Sequence, residues 1–511
     1  MNYQLPDDET KRAELRELLH KRFGITEEIT EPSPFTYYDT FDWRFHNRGL
    51  HLLHLGGRFS LLNFLENPPI EEAGLKANYS GRFSWDYPHS GFRDAISEIL
   101  DPRALLPVFE GQIVNTTLNL LNKDEKTVVR ITIEEATIRR GKQDIPLNRQ
   151  MVLHSVRGYD KELSTAKKVI ESIGIEHCSE TLYEESVRIL GITPGDYKGK
   201  VQFKIDPKAP ARETTQEMIS SLLTVARQNE AGTIEDHDTE YLHDYRVSIR
   251  KIRSILSLLK EVFPEDITQE LKDQFRSLGT ATGPVRDLDV YILSKEEYIN
   301  MVPGPQKHGI ELLFKDLEKR RKTECHKLSK FLQSKSYQNL ITEKIHFFSH
   351  PHDEIPASRN ALKPIKKLAF RTLHKRYDKI VGMGKHIISN ETEDEEVHEL
   401  RIECKKLRYL LEFFQSLLNK SSVAKFVKQL KHLQDNLGRF NDLCVQQEYM
   451  NNYLSSLSQR RKNITEIVTA VGTLIGVLYK EQIEEKAKVD ANVETFISES
   501  NQELFTTIFT K

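Results

Sequence analysis

One pattern, H-x-x-R-V/I-x-x-R/K-K-I/L-R, occurs twice in this chain. It first runs from His243 through Arg246, Arg250 and Lys251 to Arg253, and again from His398 through Arg401, Lys405 and Lys406 to Arg408. The copies start 398 − 243 = 155 residues apart, and the same offset carries Gly283 to Gly438 and Asp287-Leu288 to Asp442-Leu443. Two landmarks in one register point to a duplicated unit. A unit of that length is too long for a solenoid repeat and suits one four-helix bundle.

Helical geometry gives the pattern its meaning. At 100° per residue, the first, fourth, eighth and eleventh positions fall within an arc of roughly 80°. His243, Arg246, Arg250 and Arg253 therefore share one helix face, as do His398, Arg401, Lys405 and Arg408, with Lys251 and Lys406 flanking the two stripes. Ile249, Ile252, Leu256 and Leu259 supply the first helix with an apolar side, and Leu400, Leu407, Leu410, Leu411 and Phe414 supply the second. Four or five cations within three turns repel one another unless an anion neutralises them. Acids gather before the second copy, from Glu391 to Glu396, where they suit the positive end of the helix dipole. Thr392 and Glu395 there have capping-box spacing.

The formal net charge is only −2, so any polyanion partner must be met by such a local patch. With 511 residues, the chain needs two to four structural units. Residues 1–195 read as α+β: an amphipathic helix over 11–23, strands over 35–39, 50–55, 58–64, 81–87, 112–119, 127–133 and 150–156, and a helix over 161–173. Residues 196–212 read as a linker, and helical periodicity dominates 213–511, with repeat halves of about 213–355 and 356–511. Breaks are expected near Gly232, Pro264, Gly283-Pro284, Pro303-Gly304-Pro305, Pro351–Pro356, Gly382–Gly384 and Asn419.

Cys178, Cys325, Cys404 and Cys444 form no CxxC pair and read as buried, reduced thiols of a cytosolic protein. The N-terminal octet lacks the basic and apolar regions of a signal peptide. The most apolar stretch, Ile464 to Tyr479, contains Glu466 and is short of the roughly 20 residues a membrane span needs. Gly472 and Gly476 within it suggest close helix packing.

The paired helices, with the Leu437-Gly438-Arg439-Phe440-Asn441-Asp442 segment that follows the second, resemble the CHAD (conserved histidine α-helical domain) family over roughly 213–511. The resemblance implies two pseudo-symmetric four-helix bundles whose basic residues line a shared groove, and binding of inorganic polyphosphate without catalysis or cofactor. By the motif, the binding residues are His243, Arg246, Arg250, Lys251, Arg253, His398, Arg401, Lys405, Lys406 and Arg408. Arg371, Lys375 and Arg376 on the preceding helix are added, with Arg320 and Arg321 as further candidates. A cytoplasmic protein associated with polyphosphate granules is the expected setting. Arginine forks and lysine ammonium groups match a polymer that offers only phosphate oxygens.

The first half resembles the CYTH domain, a triphosphate-tunnel β-barrel, in degenerate form. Tyr37-Tyr38-Asp39-Thr40-Phe41-Asp42, Phe83-Ser84-Trp85-Asp86, Asn115-Thr116-Thr117 and Ile131–Ile138 follow in that family's order. Catalytic relatives need glutamates for metal and basic residues for phosphate. Here Leu52-Leu53-His54-Leu55 stands for an L-R-x-R strand, Glu110 and Asn115 stand where bases are usual, and Gln150, Val152 and His154 replace an E-x-E-x-E strand. Asn2 falls near the lysine of the first-strand ExExK. Only Glu134 and Glu135 survive near a metal position, so no metal site and no enzyme are expected. The alternatives are a divergent metal-dependent triphosphatase and a nucleic-acid binder, although Tyr409 is the main aromatic available for stacking on bases.

Overall fold

The computed structural model describes residues 2–64, 69–74, 81–178, 180–350, 355–389 and 393–509. The chain divides into two compact units, Met1–Lys198 and Gly199–Lys511.

In chain order, the first unit contains β1 (Asn2–Gln4), α1 (Glu9–His20), β2 (Gly24–Ile29), β3 (Ser33–Asp39), β4 (Leu50–Leu55), β5 (Arg58–Asn63) and β6 (Glu71–Gly74). These are followed by α2 (Gly91–Leu100), β7 (Leu106–Leu121), β8 (Thr127–Arg140), β9 (Gln143–Pro146), β10 (Gln150–Ser155), α3 (Asp160–Ser172) and α4 (Leu182–Leu190). The strands make one antiparallel sheet in the order β1-β10-β8-β7-β3-β4-β5-β6, with β2 added to β7 and β9 to β8. Among the described residues no pairing joins β1 to β6, so the strand order is a path with two ends. The segment expected as a strand over 81–87 instead makes a 3₁₀ turn, Ser84–Asp86. Asp86 turns the chain there by accepting from the amides of Arg82 and Phe83.

Side-chain parity along the long β7–β8 hairpin sorts the unit into layers. Leu118, Leu120, Val129 and Ile131 pack with Leu15 and Leu19 of α1 and Ala166 and Ile170 of α3. Farther along the strands, Phe109, Ile113, Ala136 and Ile138 pack with Phe35, Tyr37 and with Leu182 and Tyr183 of α4. Helix α4 is a further element beyond those expected, with local signals at both ends: Thr181 and Glu184 form a capping box and Gly191 ends it at φ 69°.

The second unit contains α5 (Ala211–Ile234), α6 (Thr239–Leu258), α7 (Glu265–Leu293), α8 (Lys295–Met301), α9 (Lys307–Gln333) and α10 (Lys335–Ser349). Then come α11 (Ile365–Ser389), α12 (Asp394–Phe413), α13 (Lys420–Ser456), α14 (Ile464–Lys486), α15 (Val489–Ile497) and α16 (Glu499–Thr507). The start of α6 lies 394 − 239 = 155 residues before that of α12, and the start of α7 lies 420 − 265 = 155 before that of α13. The repeat is thus visible as helices as well as motifs. Its halves do not have separate interiors, because one cluster joins Leu242, Ile249 and Ile252 of α6 to Leu400, Leu407 and Leu410 of α12. A second joins Leu288 and Tyr291 of α7 and Leu313 of α9 to Leu443 of α13 and Leu474 of α14. Burial of this apolar stripe, at about 25 cal/mol per Å², orients both cationic faces away from the core.

Several expected breaks are not breaks. Helix α7 runs through Gly283 and Pro284, and α11 through Gly382 and Gly384. A Cβ on Gly384 would stand 2.9 Å from Val493 and Ile497, so this glycine permits α15 to approach. Gly472 and Gly476 have no neighbour within 4 Å of an added Cβ, contrary to the packing role expected of them. The close crossing of α9 and α14 is made instead by Gly309, whose Cβ would meet the Glu466 carbonyl at 2.5 Å. The Thr392 capping box falls outside the described residues, and at the start of α12 Glu396 Oε2 accepts from the Glu393 amide. Val201, Phe203 and Ile205, in the stretch expected as a linker, lie partly buried against the helical core. Among the described residues no helix is long and apolar enough to cross a membrane.

Candidate functional site

Helices α6 and α12 begin with strong local signals. Asp238 caps α6 by accepting from the amides of Glu240 and Tyr241, and at the start of α12 the Glu396 carboxylate accepts from the Glu393 amide at 3.2 Å. From there Tyr245, Ile249 and Ile252 on α6, and Leu400, Leu407 and Leu410 on α12, are buried. The polar faces carry the cations.

The two stripes meet at Lys405. Its ammonium is pushed down to about 8, first by burial and then by the neighbouring charges of Arg401, of Arg250 from the other repeat, and of Arg408; Asp442 opposes them. Burial is the larger cause, and the three neighbouring guanidinium groups add to it, so cations of both repeats act on one ammonium group.

Each stripe is tethered to the helix that follows it. Arg246 donates to the Gly279 carbonyl and to Thr282 Oγ1, both at 2.8 Å. Burial lowers its pKa and Asp287 opposes that shift. At the matching place in the second repeat, Arg401 donates to Asp442 at 3.3 Å and His398 Nδ1 lies 2.6 Å from Asn441 Oδ1. The Asn-Asp segment that accompanies the motif in sequence thus positions its histidine and first arginine. Asp287 and Asp442 both act on buried Tyr291, which stacks on Tyr449 at 4.3 Å, so the acids of the two repeats converge as the cations do.

Other candidates play different parts. Lys251 pairs with Glu412 at 3.2 Å, a link between repeats, and Glu412 also accepts from Arg408. Lys406 pairs with Glu403 at 2.9 Å, and Glu403 is bonded as well to Arg376 and to Lys379. Glu403 is buried, so these cations neutralise an interior carboxylate in the α11–α12 groove. Arg371 and Lys375 are exposed on α11 and make no ion pair among the described residues. Arg321 is locked between Asp289 and Asp236, while Arg320 is exposed beside Tyr449. His243 is half-buried at the start of its stripe. Tyr409 is 5% exposed and stacks on Phe413, so it offers no free ring face for a base.

Two residues missed in the sequence belong here. Arg276 lines a cavity of about 280 Å³ with Arg246, Ile249, Arg250, Arg253, Gly279 and Thr280. Arg286 adds its charge near Arg246 and Asp287. Both lie on α7, whose acids and glycines drew attention in sequence while its scattered arginines lacked a pattern. Buried Arg286 Nη1, Arg401 Nε and Arg408 Nε have no acceptor among the described residues.

In the first unit, the strand read as having lost its arginines is part of a core. Leu53 and Leu55 pack with Phe35, Tyr37, Phe109 and Tyr183, beneath α4. Glu135 pairs with Arg149 at 2.8 Å, and Glu134 stands opposite Gln150 and Asn115 in register. Gln150 is itself buried and donates to the Glu180 carbonyl. Among the described residues no group of three or more His, Cys, Asp or Glu is placed to hold a metal ion.

Residues 217–451 match the model of the CHAD domain. Among solved structures, the chain is similar to the CHAD domain from the plant Ricinus communis, with 24% identity, 58% of this chain and 95% of that chain covered and a TM-score of 0.48. It is also similar to PptA from Streptomyces chartreusis, with 12% identity, coverage of 58% and 100%, and a TM-score of 0.41. No curated protein matches the chain.

Proposed function

We propose that this chain, whose residues 217–451 carry a CHAD domain, binds inorganic polyphosphate in the cleft where its two basic stripes converge, and does so without catalysis. The observation that carries the reading is the crowding of Lys405 by Arg401 and Arg408 of its own helix and Arg250 of the other repeat. Such crowding costs stability in the free protein and is relieved by a linear polyanion, whose evenly spaced charges neutralise successive cations. Arg246 and Arg401, fixed by their tethers, are ordered before binding, which lowers the entropy cost of engaging the ligand.

The working set is Arg246, Arg250, Arg253, Arg401, Lys405 and Arg408, with His243 and His398 at the stripe starts. Lys251, Lys406 and Arg376 serve the fold through their acids. Calorimetric titration with long-chain polyphosphate tests the reading. Replacing Arg250, Arg401 and Lys405 by glutamate should abolish binding while circular dichroism stays helical, and unchanged affinity would refute it. Competition by RNA at equal phosphate concentration and moderate salt should fail, since Tyr409, the aromatic beside the second stripe, is buried against Phe413.

The first unit, in this reading, is a degenerate tunnel domain with a structural or partner-binding role. The packing of Leu53 and Leu55 under α4 and the Glu135–Arg149 pair support it. Release of phosphate from tripolyphosphate that depends on magnesium or manganese, and is lost on changing Glu134 and Glu135 to glutamine, would overturn it.

A further inference from the structure

The duplicated site is not symmetric in its unneutralised charge. On the second stripe, Arg401 bonds Asp442 and Arg408 bonds Glu412. On the first, Arg250 and Arg253 make no ion pair among the described residues, and the position matching Glu412 (412 − 155 = 257) is Ser257.

The packing beside the stripes differs in the same sense. Gly279 lets the Arg253 guanidinium lie against the α7 backbone, 3.3 Å from where a Cβ would stand. The matching position, 279 + 155 = 434, is Gln434, whose amide nitrogen is buried. Thr280 is matched by Asp435, and Arg276 by Lys431. The first repeat therefore keeps a cavity of about 280 Å³ lined by four arginines, Arg246, Arg250, Arg253 and Arg276, with no carboxylate in its lining. Arg276 also contacts Asp273 outside that lining, at 2.7 Å. Burial and the Arg276 charge both lower the pKa of Arg253.

We propose that this first-repeat cavity receives the terminal phosphate of an oligophosphate chain, so that the polymer is held by an end and runs from there past Arg250 and Lys405 toward Arg401. The inference rests on the polyphosphate reading and deepens it. A terminal phosphate carries a second ionisable oxygen near neutral pH and three oxygens free of bridging. It therefore supplies more charge and more acceptors to a compact arginine pocket than an internal unit with one charge does. A cavity of about 280 Å³ has room for the end of a chain.

The test compares long-chain polyphosphate with free ends to the same chains capped at both ends as phosphoramidates, by calorimetry on the full chain. Wild type should prefer free ends by about tenfold or more, the scale of one lost charge-assisted contact set. Gly279→Gln, which installs the second repeat's residue and crowds the Arg253 guanidinium, 3.3 Å from the new Cβ, and separately Arg276→Gln should each reduce that preference toward one. Equal binding of free and capped chains by wild type would overturn the inference while leaving the polyphosphate reading standing. So would a preference that survives in both variants whose circular dichroism matches wild type. Failure of wild type to bind either chain would overturn the polyphosphate reading itself.

Discussion

Lys405 shows how one residue can work against the fold and for the ligand. Its folded pKa of about 8 lies below the ordinary 10.5. Between those values the unfolded chain binds more protons than the folded one, so this residue's contribution to stability rises with pH across that window. At neutral pH the charged form is a cost. Lys405→Met should therefore raise Tm at about pH 7, on the order of 2–4 °C, with the gain over wild type fading as pH climbs from about 8 toward 10.5. The same substitution should weaken polyphosphate binding. Because a bound polyanion restores the ordinary pKa, binding at about pH 8.5 should take up a proton, and at about pH 6.5 should not. Calorimetry in buffers of different ionisation enthalpy reads this directly, and Lys405→Arg should remove the uptake while keeping most of the affinity.

At the scale of elements, periodicity made the two basic helices readable, because charge at helical spacing and an apolar opposite face are both local properties. The helix order of the repeat followed from the 155-residue register. What stayed hidden was long-range. Glu403 lies only three residues before Lys406 in sequence, yet nothing local says that Arg376 and Lys379 of α11 also converge on it. Pro284 reads as a stop, but α7 absorbs it within 29 residues of helix. Helix α4 carried legible caps, and its purpose depends on the sheet face it covers. Tyr183 is 4% exposed and packs on His51 at 3.8 Å and on Tyr37 and Phe109. Tyr183→Ala should cost about 3–5 kcal/mol, seen as selective unfolding of the first unit in denaturant, with polyphosphate affinity of the helical unit unchanged. If the α4 face is structural, that variant should gain no triphosphatase activity.

For the whole molecule, the decisive question is whether the two repeats serve one ligand or two. One α6 cation acts on an α12 lysine, the Lys251–Glu412 pair bridges the repeats, and both core clusters run across them. Stripes held this firmly in one body cannot separate to accept independent chains. A single polyphosphate chain should bind with a strong salt dependence, because each neutralised phosphate releases counterions, giving a slope of log K against log salt of roughly −0.7 per contact for a single strand. Neutralising Arg250 and Arg253 together should make the slope shallower by about 1–2, and neutralising Arg401 and Lys405 should do the same. In both cases the stoichiometry should remain one binding event per protein. Two independent sites would behave otherwise: each double variant would lose one of two events and leave the salt slope of the survivor intact. The measurement thus reads, from ions released into solution, whether duplication of a helical unit built one composite site or two copies of a smaller one.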